Sequence, residues 1–175
     1  MSTSKAYTIQ FASLAIGEHQ FEMEVSDRFF EDFKFSEIRQ GSVKIKINLL
    51  KQSTMMVLDI EIGGTVKANC DRCAEEFNLP INRNYRLVVK TTGDTNSVGE
   101  EDDDIIAVSA TESKLDLSQH LYDYIVLSLP IKREHPSIEE CDNEVLGKLG
   151  DFLVEEDSSK STDPRWDELM KIKLN

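Results

Sequence analysis

The chain passes from one strand-like run to the next through a segment that holds two of its three cysteines, Val66-Lys67-Ala68-Asn69-Cys70-Asp71-Arg72-Cys73-Ala74-Glu75-Glu76-Phe77. From Met56 to Cys70 the apolar side chains fall on even positions, and from Phe77 to Val89 they fall on odd positions. Side chains alternate between the two faces of a strand, so each run predicts a strand with one apolar side. The even parity continues through Gly63-Gly64, which indicates one long strand bent at the glycines. The two runs therefore predict a β-hairpin whose tip carries both cysteines.

This hairpin, over 55–70 and 77–90, is the centre of the predicted fold. The clearest half-buried strand, over 43–49, alternates Val, Ile and Leu with Lys and Asn. Two short strands are expected within 6–25, and a further short strand at 105–108 returns to the sheet. The sequence thus predicts a bent antiparallel β-sheet.

Helices are predicted at three places. The strongest runs from Leu117 to about Leu129, with Asp116 as its cap, Pro130 at its end and Leu127 thickening its apolar face. Two shorter helices are expected over 26–33 and 162–172. The expected fold class is α+β, in which a bent antiparallel β-sheet is packed by a central helix and followed by a short C-terminal helix or arm.

The expected organisation is a single α+β domain over residues 1–135, followed by an acidic linker and C-terminal arm over 136–175. Residues 93–104 are small, polar and acidic and end in five consecutive acids, so a flexible acidic loop is predicted there. The start of the chain lacks the features of a signal peptide. No apolar run approaches the roughly 20 residues of a membrane span. We therefore expect a cytoplasmic protein with no membrane partner.

The acidic composition limits the class of partner. The formal net charge is −13 and the sequence pI is about 4.6. Binding to nucleic acid requires an excess of Lys and Arg on one face, so direct RNA contact is disfavoured and basic protein partners are favoured. Lys44 and Lys46, with Lys51 nearby, make one face of a predicted strand basic. We interpret this face as a solvated surface, with a phosphate-binding surface as the alternative.

Catalytic chemistry has little support in the sequence. The three histidines occur in unrelated contexts, and neither a G-x-S-x-G motif nor a glycine-rich phosphate loop is present. The carboxylates are numerous but scattered, as on an acidic surface. We predict no catalytic residues and expect a protein that is not an enzyme.

Metal binding is the chemistry that the cysteines favour. Cys70 and Cys73 have C-x-x-C spacing and supply half of a closed tetrahedral zinc site. The best candidates for the other half are His135 and Cys141, which follow the central helix, so zinc would staple the hairpin tip to that segment. Two alternatives are open: Cys70 packs as a small apolar residue beside a free Cys73 thiol, or the pair is a redox site. The redox alternative is weaker because strand alternation resumes after Cys73, where a redox motif places a helix.

Three segments, in order along the chain, carry a resemblance to one family: Cys70 to Phe77, Leu115 to His135, and Asp163 to Leu169. The first is similar to a C-x-R-C hairpin, the second to a central helix that ends in L-x-L-P, and the third to an (N/D)-P-R-(F/W)-x-x-L motif. Together they resemble the large-subunit ribosomal RNA accumulation proteins, which are YceD-like in bacteria and have plastid relatives. The resemblance covers roughly residues 40–173.

The resemblance implies a non-enzymatic factor for normal 23S ribosomal RNA accumulation or processing, and hence for biogenesis of the large ribosomal subunit. Many relatives carry more cysteines after the L-x-L-P motif, whereas this chain has only Cys141 there, which leaves His135 as the fourth ligand. Because the chain is acidic, we expect it to act through a basic ribosomal protein or an assembly factor of the large subunit. The expected partner-binding residues are Arg72, Phe77, Pro164, Arg165, Trp166 and Leu169.

Two other functions are open at this point. One is a zinc-stapled protein-interaction module unrelated to ribosomes. The other is a direct RNA-binding protein that uses the strand faces carrying Lys44, Lys46, Arg83 and Arg86. Salt dependence separates the RNA-binding function from the others, because phosphate contacts weaken steeply with added salt.

Overall fold

The computed structural model describes residues 6–92, 105–109 and 111–152 of the 175-residue chain. The chain divides into two compact units, of which the first ends at Cys141 and the second begins at Asp142. The predicted loop at 93–104 and the predicted helix at 162–172 lie outside the described residues. The predicted domain boundary after residue 135 stays a prediction.

The first unit is an α+β fold built on one five-stranded sheet, as predicted. In chain order its strands are β1 (Thr8–Ile9), β2 (Gly17–Val25), β3 (Gly41–Lys51), β4 (Met55–Asn69), β5 (Glu76–Thr92), β6 (Ile105–Ser109) and β7 (Leu115–Asp116). The large sheet has the strand order β2-β3-β4-β5-β6, and β1 pairs separately with β7. The fold class predicted from the alternating runs is confirmed.

The central hairpin of β4 and β5 is long and regular. Its antiparallel register runs from Met55 opposite Lys90 to Asn69 opposite Glu76. β4 is one continuous strand that passes through both glycines, as its even parity predicts. Gly64 cannot be replaced without movement, because an added Cβ would overlap the Ser42 carbonyl oxygen on β3.

One strand pair differs from the predicted antiparallel sheet. β6 lies parallel to β5, with Val88 opposite Ile105 and Thr92 opposite Ser109, so the sheet is mixed. A parallel pair needs a connection of about a dozen residues or more, and residues 93–104 separate the two strands. Alternation of side chains predicts a strand but does not carry its direction, which is why the sequence did not predict this pairing.

The two N-terminal strands differ from the predicted pair of short strands: the first has two residues and the second, β2, has nine. Of the two strands expected within 6–25, the first is only the two-residue β1, and a short 3-10 helix follows at Phe11–Ser13. Its apolar residues are nevertheless buried, because Tyr7 and Phe11 are both less than a tenth exposed. The helix predicted over 26–33 is shorter in the structure, where α1 (Asp27–Glu31) has five residues.

The central helix, α2 (Ser118–Leu127), packs its predicted apolar face into the core. Leu117, Leu121 and Ile125 are fully buried, and the Asp116 carboxylate accepts the Ser118 backbone N–H at 2.9 Å. The helix starts at Ser118, one residue later than predicted, and its N-cap residue is Leu117 instead of the predicted Asp116.

The end of α2 differs from the prediction. The helix stops at Leu127, two residues early, because Pro130 disfavours helical backbone angles at the preceding residue. Leu127 does not thicken the apolar face: it is 67% exposed. It follows Ile125 by two residues, which places it about 200° further around the helix.

The second unit contains a helix that the sequence did not predict, α3 (Asn143–Phe152). None of its ten residues is buried. Two glycines interrupt its apolar spacing, which is why the pattern does not predict a helix at this position. Within the residues that the structure describes, no helix is long and apolar enough to cross a membrane.

Candidate metal centre

The tip between β4 and β5 is a tight turn that places two cysteines side by side. The Cys70 N–H donates to the Glu75 carbonyl at 2.8 Å, and the Ala74 N–H donates to the Cys70 carbonyl at 2.7 Å. Ala74 adopts a left-handed backbone with φ of 61°. The turn directs both Cys70 and Cys73 inward, where each is 3% exposed or less.

The segment after α2 lies against this tip through backbone contacts. The Asp71 N–H donates to the Arg133 carbonyl at 2.7 Å, and the Arg133 N–H donates to the Asp71 carboxylate at 2.8 Å. A short 3-10 helix, Ile138–Glu140, then turns the chain back, with Ser137 as its cap. His135 and Cys141 are thereby placed on either side of this turn.

The structure brings all four predicted metal ligands together. The ligand atoms of Cys70, Cys73, His135 and Cys141 lie within 4.8 Å of one another, and all four residues are buried. The Cys70 and Cys141 sulfurs are 4.0 Å apart. The His135 Nδ1 lies 3.6 Å from the Cys73 sulfur and 3.5 Å from the Cys141 sulfur.

The distance between the Cys70 and Cys141 sulfurs and the two distances from the His135 Nδ1 are close to the edges of a zinc tetrahedron. With Zn–S bonds of about 2.3 Å and a Zn–N bond of about 2.0 Å, tetrahedral angles place two sulfurs about 3.8 Å apart and a sulfur about 3.5 Å from the nitrogen. The cluster, which we call the Cys3His centre (Cys70, Cys73, His135, Cys141), therefore fits a structural zinc ion in donor type, number and spacing.

The electrostatics of the Cys3His centre favour one thiolate. Burial raises the pKa of Cys70, but hydrogen bonds outweigh burial: the backbone N–H groups of three neighbours and the Cys73 side chain lower it to about 6 from an ordinary 9.0. Burial and the hydrogen bond with Cys73 raise the pKa of Cys141. Because the thiolate is the form that binds metal, Cys70 is more easily available as a ligand at neutral pH than Cys141.

Arg72 and Phe77, two of the predicted partner-binding residues, make internal contacts at the centre. The Arg72 guanidinium donates to the Glu134 carboxylate at 2.6 Å and lies 3.6 Å from the Cys141 sulfur. The Phe77 ring packs on the His135 imidazole, with centroids 4.6 Å apart. Their role toward a partner stays a prediction, and the other predicted partner residues, Pro164, Arg165, Trp166 and Leu169, lie outside the described residues.

Sequence reasoning missed the residues that join the two halves of the centre. Asp71, Arg133 and Glu134 make the hydrogen bonds across it. Asp71 lies within the C-x-x-C motif, and Glu134 directly precedes His135. Their position beside a predicted ligand could have indicated Asp71 and Glu134, but in so acidic a chain one more acidic residue carries little information.

The basic residues proposed for RNA binding do not form one basic surface. Lys44, Lys46 and Arg86 lie on the face of the sheet opposite the core, which we call the outer face, whereas Arg83 has the parity of the core side. Lys46 lies between glutamates on both neighbouring strands. Arg86 is paired with Asp59 at 2.7 Å. The outer face therefore has mixed charge.

Comparison with protein families assigns the chain. The model of the family described as large ribosomal RNA subunit accumulation protein YceD matches residues 58–173, a range that contains all four residues of the Cys3His centre. No curated protein and no solved structure matches the chain. Because the family match spans well over half of the 175 residues, the chain belongs to the YceD family of large ribosomal RNA subunit accumulation proteins.

Proposed function

We propose that the chain is a non-enzymatic factor for accumulation or processing of 23S ribosomal RNA during biogenesis of the large ribosomal subunit. The observation that carries this proposal is the family match, which extends from β4 beyond the described residues. The predicted cytoplasmic location agrees with this role.

The Cys3His centre would serve this function as a structural zinc site. Cys70 and Cys73 would hold the metal from the hairpin tip, and His135 and Cys141 from the segment after α2. All four positions of a tetrahedral ion would then be filled by protein, with no open position for a water or a substrate. Bound zinc would supply a cross-link, which supports a role in presenting a fixed surface.

We infer that the chain reaches ribosomal RNA through a protein partner, either a ribosomal protein or an assembly factor of the large subunit. The charge of −13 repels RNA phosphates and attracts basic proteins. The mixed charge of the outer face adds to this argument, because Lys46 has glutamates as cross-strand neighbours on both sides. The predicted docking surface is the Cys70–Phe77 tip together with the helix that the sequence predicts around Trp166.

Two alternative functions stay open. A zinc-stapled interaction module unrelated to ribosomes would use the same Cys3His centre. Direct RNA binding would use Lys44 and Lys46, which form no ion pair among the described residues and are exposed.

The deciding experiment is depletion of the chain from cells and measurement of the ratio of large- to small-subunit ribosomal RNA. A selective fall in 23S RNA, or accumulation of its precursors, is expected, and complementation by the unaltered chain should restore the ratio. Complementation by Cys73→Ser tests the centre, with zinc content of both purified proteins as the companion measurement. An unchanged ratio in depleted cells would contradict the proposal and favour the unrelated interaction module.

The RNA-binding alternative has its own test. Binding of the purified chain to 23S RNA is measured as salt rises from low to physiological concentration, beside a Lys44→Glu/Lys46→Glu variant. Under the proposed function, binding to RNA is weak at physiological salt and the variant behaves like the unaltered chain. A steep salt dependence that the variant abolishes would instead establish direct RNA binding.

A further inference from the structure

β2 is an edge strand of the large sheet: β3 pairs with one side, and no strand within residues 6–92, 105–109 and 111–152 pairs with the other, which we call the open side. It is nine residues long. The Tyr7 hydroxyl donates to the Glu24 carbonyl at 3.0 Å, so the Glu24 backbone points away from β3. Alternate residues of an antiparallel strand point their backbone groups the same way, so Glu22 and Gln20 also direct an N–H and a carbonyl to the open side. Tyr7 already occupies the Glu24 carbonyl, so the stretch of the edge that can accept a further strand is the one that contains Gln20 and Glu22, because unpaired edge groups are a template for pairing.

The outer face alternates in charge from strand to strand. Exposed or half-buried acids lie on β2 and β4, and basic residues lie on β3 and β5; the register places Glu24 opposite Lys44, Glu22 opposite Lys46, Lys46 opposite Glu61, and Asp59 opposite Arg86. Opposite charges directly across a strand pair are stabilising. β2 continues this series at the edge with acids that have a basic neighbour on one side only. A further strand would fit best with Lys or Arg on its outer face.

The core side of β2 is incompletely covered. Phe21 and Met23 are half-buried, whereas Ile45 and Ile47, which face them from β3, are fully buried. A strand added beside β2 would cover Phe21 and Met23 if its side chains on the core side were apolar. The β2 edge therefore favours a strand with Lys or Arg on its outer face and apolar side chains on its core side.

We propose that the β2 edge binds an extended segment of a basic partner protein, in which Lys or Arg alternates with apolar residues, as an added sixth strand. This inference rests on the proposed partner-mediated function and adds a second contact surface, separate from the Cys70–Phe77 tip, with the chemistry of the segment that it binds. The partner would bind at β2, the edge strand at the opposite end of the sheet from β6. Main-chain hydrogen bonds would supply affinity, and the alternating side chains would supply specificity.

A second copy of the chain fits this edge poorly. Pairing of β2 with β2 would bring the three glutamates of one copy, Glu18, Glu22 and Glu24, close to those of the other. Like charges on neighbouring strands are destabilising, so the acids that attract a basic strand also disfavour self-association.

The test uses a nine-residue peptide, the length of β2, with blocked ends and alternating Lys and Val. Its counterpart has Glu in place of Lys. Affinity is measured by fluorescence anisotropy with the full chain, and the binding position is measured by hydrogen exchange of the backbone amides. The Lys peptide is expected to bind and to slow exchange at Gln20 and Glu22, and the Glu peptide is expected not to bind.

Two variants provide a matched pair, because Glu22 and Glu61 lie on either side of Lys46. Glu22→Lys, on the edge, is expected to weaken binding of the Lys peptide roughly tenfold, from loss of one attraction and gain of one repulsion. Glu61→Lys makes the same change in net charge on an inner strand and is expected to change affinity by less than about twofold. Gln20→Pro removes one outward N–H and is tolerated on an edge strand, so it should abolish binding with the fold intact.

Several results would overturn the inference: equal weakening by Glu22→Lys and Glu61→Lys, slowed exchange only at positions outside β2, no binding of the Lys peptide, or sedimentation as a dimer that Glu22→Lys changes. None of these measurements involves ribosomal RNA. Failure of the peptide experiment therefore leaves the proposed function standing, and an unchanged RNA ratio on depletion leaves the peptide result standing.

Discussion

Removal of metal from the Cys3His centre should destabilise the first unit without unfolding its sheet. The centre joins Cys73 to His135, which are 62 positions apart in sequence. A cross-link that closes a loop of this length lowers the conformational entropy of the unfolded chain. By the relation used for disulfides, the free energy of unfolding rises by roughly 4 kcal/mol.

The sheet itself should persist because its core does not depend on the tip. Leu58, Ile60 and Leu87 of the central hairpin are fully buried. The two hydrogen bonds between Asp71 and Arg133, one between backbone groups and one from the Arg133 N–H to the Asp71 carboxylate, also remain after the metal is removed, and each is worth about 1 kcal/mol. The expected product is therefore a folded unit with a loosened tip.

The assay is thermal unfolding followed by far-ultraviolet circular dichroism, with the zinc-loaded chain compared with the same chain after phenanthroline treatment. A loss of roughly 4 kcal/mol in a unit of this size corresponds to a fall in Tm of about 12 °C. His135→Gln should reproduce the low Tm with or without the chelator. His120→Gln, a half-buried histidine on α2 outside the centre, should keep both the zinc and the high Tm.

Two results would refute this reasoning. If the zinc-loaded and stripped chains melt within about 2 °C of each other, the metal does not act as a cross-link between the two halves. If stripping removes the β-sheet signal at 25 °C, the sheet is not independent of the centre.

Three further predictions concern the backbone and the thiols of the hairpin. Gly64→Ala should lower the free energy of unfolding by about 3 kcal/mol because the new Cβ overlaps the Ser42 backbone, whereas Gly63→Ala, which has open space, should change it by less than about 1 kcal/mol; chemical denaturation measures both, and equal effects would contradict the register. Ala74→Gly should raise the free energy of unfolding by about 0.5 kcal/mol, because the left-handed φ of 61° strains any residue with a Cβ; a loss of stability would contradict the turn geometry. The metal-free chain should lose stability as pH falls from 9 towards 6, because Cys70 of the unfolded chain binds a proton below pH 9 whereas the folded chain keeps the thiolate until its lowered pKa of about 6; Cys70→Ser should lack this change, and an equal change in both proteins would exclude the thiolate as its source.

The hairpin and the four residues of the Cys3His centre were predictable from the sequence because each depends on local pattern or chemistry. Alternation from Met56 to Val89 defined two strands and their tip, and β4 and β5 follow it. Cys70 and Cys73 required two more ligands of suitable type. His135 and Cys141 were the only such pair close together after the central helix, and they lie beside the first pair.

The remaining features depend on contacts between distant positions or on backbone direction. The parallel pairing of β6 is set by the path of the chain between β5 and β6. The apolar pattern from Ile105 to Ser109 does not indicate whether the strand runs parallel or antiparallel to its neighbour. The contacts of Asp71 with Arg133 join residues 62 positions apart, and neither residue type indicates its partner. The exposure of Leu127 follows from the point at which α2 ends, which apolar composition alone does not fix.

Because the chain is synthesised from its N-terminus, the four residues of the Cys3His centre do not become available at the same time. The hairpin tip with Cys70 and Cys73 leaves the ribosome well before His135 and Cys141 do. Until residue 135 has emerged, the chain can offer a metal only the two thiols of the tip, which is half of a tetrahedral shell. Closure of the centre is therefore a late event in synthesis, and a nascent or truncated chain that stops short of residue 135 exposes an incomplete, reactive thiol pair. A closed centre marks a first unit that has been made to its end.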